Sequence, residues 1–232
     1  MIYKRLRHSA LKSRMKPRKW SKILLNEPCF ILGNGPSILN HNVNLLNDRY
    51  FSLGINSSYQ LLDSTMLLWQ DIEFFYSSRK ILPSLKSILF SRDTSDPLNI
   101  AMHFTLQTGG FKLPRNPSIL HGMGATGPLA FQTAYVLGCN PIILLGFDCM
   151  YKDGMTDFYG VNRFHKPHTL KTCKRGLKWI KNCQFERKII NCSENLVFGE
   201  PRTLENVLKE FDDKYPHRTR KYFIDKMINS VK

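Results

Sequence analysis

The chain alternates short apolar blocks with longer stretches in which apolar residues recur at helical spacing. Residues 29–32, 51–55, 65–69 and 141–145 are blocks of this kind, each closed by Gly, Asn or a Gln-Asp pair. Apolar runs of that length, bounded by turn residues, predict strands buried on both faces. Residues 87–90 and 188–192 predict two more. Residues 129–137 are small and apolar and stop at Gly138, the pattern of a buried helix with a glycine end. Residues 169–182 place Leu170, Cys173, Leu177 and Ile180 on one face of an amphipathic helix. Residues 201–211 and 222–231 predict two further helices. Strands alternating with helices give an α/β fold class: a Rossmann-like parallel sheet with helices on both faces.

Two segments break the period. Residues 92–121 carry Pro97, Pro114, Pro117 and the Gly109-Gly110 pair, and are expected to be an irregular lid or binding loop. Residues 149–167 form a long polar and aromatic loop. The expected organisation is a basic arm over residues 1–22, outside the core, a Rossmann-like nucleotide-binding and catalytic domain over 23–200, and a basic helical extension over 201–232. No internal repeat is visible.

A chain of 232 residues with 42% hydrophobic content can bury one large core. No apolar run approaches the roughly 18 residues of a membrane span. No apolar segment follows the first basic residues, so no secretory signal is expected. The six cysteines contain no Cys-x-x-Cys pair, which points to reduced thiols in a cytoplasmic protein, not to zinc or a redox motif. The charge changes the picture more. Thirty-four Lys and Arg against 18 Asp and Glu leave +16. That imbalance favours polyanions: nucleic acid such as DNA, an anionic envelope glycolipid, or the inner membrane surface. Residues 1–22 hold nine Lys and Arg and no acid; further clusters lie at 166–188 and at Arg218, Arg220, Lys221 and Lys226.

The candidate chemistry gathers where the expected strands end, the edge at which parallel sheets bind ligands. Gly33-Asn34-Gly35-Pro36-Ser37 follows the first strand. Its glycines permit a sharp turn and close backbone approach, and Pro36 suits a first helical turn. It is neither Gly-x-Gly-x-x-Gly, because residue 38 is Ile, nor a P-loop, because no Gly-Lys-Ser/Thr follows. Asn56 and Ser57 follow the second strand. Thr126 and Gly127 open a helix whose N–H groups could receive a phosphate or sugar hydroxyl. Asp148 ends the strongest strand, where it could bind a hydroxyl or set a loop. Asp71 and Glu73 form the nearest carboxylate pair, and either a divalent ion or a solvated turn fits them. His165 and His168 flank Pro167, and a histidine there could take a proton near neutral pH. Tyr151 and Tyr159 could hydrogen-bond a leaving phosphate.

The first glycine loop, Ile55-Asn56-Ser57-Ser58-Tyr59 and Leu137-Gly138-Cys139-Asn140-Pro141-Ile142-Ile143-Leu144-Leu145-Gly146-Phe147-Asp148 resemble the bacterial sialyltransferases of glycosyltransferase family 42. They equally resemble the wider DUF115 group, which includes archaeal-type 6-hydroxymethylpterin diphosphokinases, flagellin-modifying proteins and phage proteins. The resemblance covers about residues 29–198. It implies a single GT-A-like domain and a CMP-linked sugar held by Asn34, Gly35, Ser37, Asn56, Thr126 and Gly127. It also implies a general base at His168 and leaving-phosphate contacts from Tyr151 and Tyr159. A nucleotide-sugar co-substrate and no cofactor follow. The diphosphokinase alternative implies ATP and Mg²⁺ at Asp71 and Glu73, and a third reading is a nucleic-acid-binding protein on the same fold.

Overall fold

The computed structural model describes residues 17–108, 112–162, 167–183 and 186–230. Eight strands form one parallel sheet: β1 (Cys29–Leu32), β2 (Phe51–Ile55), β3 (Met66–Trp69), β4 (Ile88–Arg92), β5 (Met102–Gln107), β6 (Ile119–His121), β7 (Ile142–Leu145) and β8 (Ile189–Cys192). Their order across the sheet is β6-β5-β4-β3-β2-β1-β7-β8, and every described pairing is parallel. The α-helices are α1 (Ile72–Ser78), α2 (Thr126–Leu137), α3 (Pro167–Asn182), α4 (Leu204–Asp212) and α5 (Arg220–Asn229).

The apolar blocks become strands because the sheet is covered on both sides. In β1, Cys29 and Ile31 pack with α2, α3 and α5, whereas Phe30 and Leu32 pack with α4. In β3, Met66 and Leu68 join the first core, and Leu67 and Trp69 meet Phe74 and Phe75 of α1. A strand with two apolar environments has no position for a polar alternation. Edge-to-face contact between Phe131 and Trp179, with ring centroids 6.2 Å apart, ties α2 to α3. Gly138 ends α2 at φ 90°, as the sequence predicts.

Two expectations are corrected. The segment 92–121 is not irregular throughout, because it supplies β5 and β6. Both lie at one edge of the sheet, where one-sided burial weakens the apolar signal; β5 alternates buried Met102 and Phe104 with less buried neighbours. The arm over residues 1–22 does not lie wholly outside the core. Trp20 is fully buried and donates its indole N–H to the carbonyl of Met227 at 2.9 Å. Residues 1–16, with most of the arm's charge, lie outside the described residues. At the other end, Phe211 of α4 and Phe223 and Met227 of α5 are core residues.

The topology fixes where a ligand can sit. From β1 the chain builds outward to β6, then returns through α2 to β7 on the other side of β1. The loops leaving β1 and β7 therefore diverge at a topological switch point, the crevice where open α/β sheets bind ligands.

Candidate nucleotide-binding cleft

A cleft of about 780 Å³ opens at this carboxyl edge. Its walls are the loops after β1, β2, β3 and β7, the start of α2, the loop 149–162 and one face of α3. Gly33, Asn34, Gly35, Asn56, Ser57, Asp71, Glu73, Thr126, Gly127 and Tyr159 of the sequence-derived set line it.

The floor is a double loop. Gly33 donates its N–H to the Leu145 carbonyl and Gly35 donates to the Gly146 carbonyl, both at 2.8 Å. These bonds extend the β1–β7 ladder past the strand ends, so the two loops lie in contact. A Cβ on Gly35 would sit 2.7 Å from the Gly146 oxygen, and one on Gly33 would meet the Gly146 carbonyl carbon at 2.9 Å. Only glycine allows this approach. Pro36 then starts a short 3₁₀ turn, Pro36–Asn40.

Asp148 belongs under this floor, not in the ligand space. Its carboxylate accepts from the Ser37 N–H at 2.8 Å, the Ser37 hydroxyl at 2.5 Å and the Glu194 N–H at 3.1 Å. Asp148 and Ser37 are each 1% exposed. The expected donor contacts from Asp148, Ser37 and Pro36 are thereby corrected: none of the three lines the cleft, and Asp148 with Ser37 sets the loop. From β8, the Ser193 hydroxyl accepts from the Phe147 N–H at 2.8 Å, and Asn195 Nδ2 donates to the Phe147 carbonyl at 2.9 Å.

The walls present a defined set of polar atoms. Asn56 has left-handed backbone, φ 47°, which turns its side chain toward α2. Its Nδ2 donates to Thr126 Oγ1 at 3.5 Å, and Gln70 Nε2 donates to the same oxygen at 3.3 Å. With both lone pairs engaged, the Thr126 hydroxyl proton is left to donate outward. The Oδ1 atoms of Asn34 and Asn56 are buried and have no partner. A buried carbonyl oxygen without a donor costs about 1–3 kcal/mol. The cleft wall thus combines two asparagines, one hydroxyl donor and the open N–H groups at the start of a 12-residue helix. That combination suits a ligand carrying both amine or hydroxyl donors and a phosphate.

The loop 149–162 closes one side. Phe158 donates its N–H to the Asn34 carbonyl at 2.7 Å, which fixes the loop to the glycine floor. Tyr159 follows and faces the cleft. Its phenol oxygen accepts from Asn162 Nδ2 at 2.9 Å and is hydrogen-bonded by Ser57. Burial, with the charge of Asp157 beside it, pushes the Tyr159 phenol up to about 12, against hydrogen bonds from Ser57 and Asn162 that lower it. The phenol is therefore a donor at neutral pH. Its contribution to stability is present below the unfolded tyrosine value of about 10. That contribution is lost as pH rises through about 12. In an alkaline ultraviolet titration, Tyr159→Phe is expected to remove one phenol that ionises near pH 12, below Tyr50, which burial and Asp212 push higher still. Loss of a phenol titrating near pH 10 instead would contradict this assignment.

Other expected residues are placed differently. Tyr151 is half exposed and does not line the cleft. His168 is exposed in the first turn of α3, one residue before Thr169, which does line it. The histidine itself does not line the cleft. His165 lies outside the described residues. None of the six cysteines is in a disulfide. Among the described residues no group of three or more His, Cys, Asp and Glu is gathered for a metal ion, and no helix is long and apolar enough to cross a membrane. Tyr59, Gln70, Thr156 and Asn162 also line the cleft. Gln70 directly follows β3, so the strand-end rule that selects Asn56 could have selected it too; the other three carry no comparable sequence signal.

No protein-family model matches the sequence, and no curated protein matches it. Among solved structures, the chain is similar to the sialyltransferase CstII from Campylobacter jejuni in complex with a substrate analogue, cytidine-5'-monophosphate. The two share 15% identity, with 76% of this chain and 85% of that chain covered and a TM-score of 0.48.

Proposed function

We propose that the chain is a glycosyltransferase that transfers a sugar from a nucleotide-activated donor, CMP-linked, to an acceptor hydroxyl. The observation that carries this reading is the set Asn34, Asn56 and Thr126, which line one cleft between the glycine floor and the start of α2. A cytidine supplies an exocyclic amine and ribose hydroxyls that suit the asparagine side chains of the wall. Its phosphate suits the Thr126 proton and the helix N–H groups.

In the proposed step, His168 takes the proton from the acceptor hydroxyl as that oxygen attacks the anomeric carbon. The bond from that carbon to the phosphate oxygen breaks with inversion, and the electron pair leaves on CMP. Tyr159, protonated at neutral pH, donates to the departing phosphate oxygen. The step as written uses no metal ion. Tyr151, which does not line the cleft, is not used in the step as written. Incubation with a CMP-linked sugar is expected to release CMP, slowly with water alone and faster with an acceptor. Absence of any CMP release across a panel of CMP-sugars would oppose the reading.

One observation favours a second reading. Asp71 and Glu73 both line the cleft, where they could hold Mg²⁺ on ATP for pyrophosphoryl transfer to a pterin alcohol. Magnesium-dependent release of AMP is its signature, and CMP release from a CMP-sugar excludes it as the main activity.

A further inference from the structure

Helix α3 has two faces with different work. Leu170, Cys173 and Leu177 turn inward and line the cleft, and Trp179 and Ile180 are buried. Lys171, Lys174, Arg175, Lys178 and Lys181 are all exposed. At 100° per residue they fall within an arc of about 120°, and from Lys171 to Lys181 the stripe is about 15 Å long. Residues 167–182 contain no acid, and none of the five cations has an ion-pair partner among the described residues. Five like charges on one face repel one another, so the stripe is costly for the isolated chain. Its position is also fixed. Gly176 lies so close to Pro128 of α2 that a Cβ there would meet the proline ring at 2.6 Å. The helix that carries the stripe is thus held against α2.

We propose that this stripe is a docking surface for the phosphate backbone of duplex nucleic acid. A duplex carries one phosphate per about 3.4 Å of helix axis on each strand, so the stripe matches the axial rise of about four phosphates of one strand. The exposed face carries no aromatic ring on which single-stranded bases could stack, so contact is with the backbone and independent of sequence. A membrane-docking helix would turn its apolar face outward; here that face is buried against the sheet and α2. The inference rests on the charge and exposure of one face of α3, not on the identity of the donor.

The test is fluorescence anisotropy of the full chain with a labelled 20-base-pair duplex, from about 50 to 200 mM salt. Binding is expected to weaken linearly in log–log form. The triple variant Lys171→Glu, Lys174→Glu, Lys178→Glu is expected to bind about 10²-fold more weakly, with a shallower salt slope. Reversing Lys80, Lys86 and Lys209, exposed on other elements, makes the same change in net charge and is expected to cost much less. Equal losses in the two triple variants would overturn the proposal by assigning binding to net charge alone. Absence of salt-dependent duplex binding would overturn it too, as would tighter binding to phosphatidylglycerol vesicles than to duplex. A thermal shift with CMP, measured on the same α3 variant, is expected to be unchanged, so failure of the docking surface and failure of the nucleotide reading are separable.

Discussion

Asp148→Ala is expected to lower the free energy of unfolding by about 3–5 kcal/mol, among the largest single-residue losses available to this chain. The carboxylate accepts three hydrogen bonds in a buried position, from both polar groups of Ser37 and from the Glu194 N–H. Alanine leaves two backbone N–H groups buried without an acceptor, each costing about 1–3 kcal/mol, and opens a void under the loop. The glycine floor then loses its support. Asp148→Asn keeps the volume and the Oδ1 acceptor but points an NH₂ at the Ser37 N–H, so it is expected to cost about half as much. Urea unfolding reads both: the midpoint should fall with little change in slope. An Asp148→Ala protein as stable as the parent would show that the turn is held by the glycine–carbonyl bonds alone.

The second large effect is on turnover. His168→Ala is expected to reduce transfer from a CMP-linked sugar by about 10²–10⁴-fold, the usual worth of a positioned general base. The loss should fall on kcat, with donor binding intact, because His168 is not among the groups that line the cleft. Tyr159→Phe is expected to cost about 10²-fold, since one donor to the leaving phosphate is removed while the ring stays. It too should leave the fold intact, because Phe158 and not Tyr159 ties the loop to Asn34. A His168→Ala variant with full activity would move the base to another residue.

The central strands were legible because β1, β2, β3 and β7 are buried on both faces, and a continuous apolar run is the direct imprint of that environment. β5 and β6 were not, because both are only partly buried and the prolines and glycines around them dominate the local pattern. At the cleft, Asn34, Asn56 and Thr126 could be read from position, as the first polar residues after strands or at a helix start. Asp148 satisfies the same rule and points the other way. A strand end fixes which edge a residue occupies; which side of the loop its side chain takes depends on a partner, here Ser37, 111 positions away. Trp20 was missed for a similar reason, since nothing in a basic segment signals that one ring will pack under a helix more than 200 residues later. Tyr159 and Asn162 depend on the turns of the loop 149–162, which no periodicity encodes.

The most direct test of the nucleotide reading is a thermal-shift panel of CMP, UDP, GDP and ATP, each with and without Mg²⁺. A ligand that binds only the folded state at about 100 times its Kd adds about 2.7 kcal/mol of stability. CMP without Mg²⁺ is expected to raise the melting temperature most, and the Asn34→Ala, Asn56→Ala double variant is expected to lose that rise while folding normally. No shift with CMP, or a shift seen only with ATP and Mg²⁺, would contradict the account.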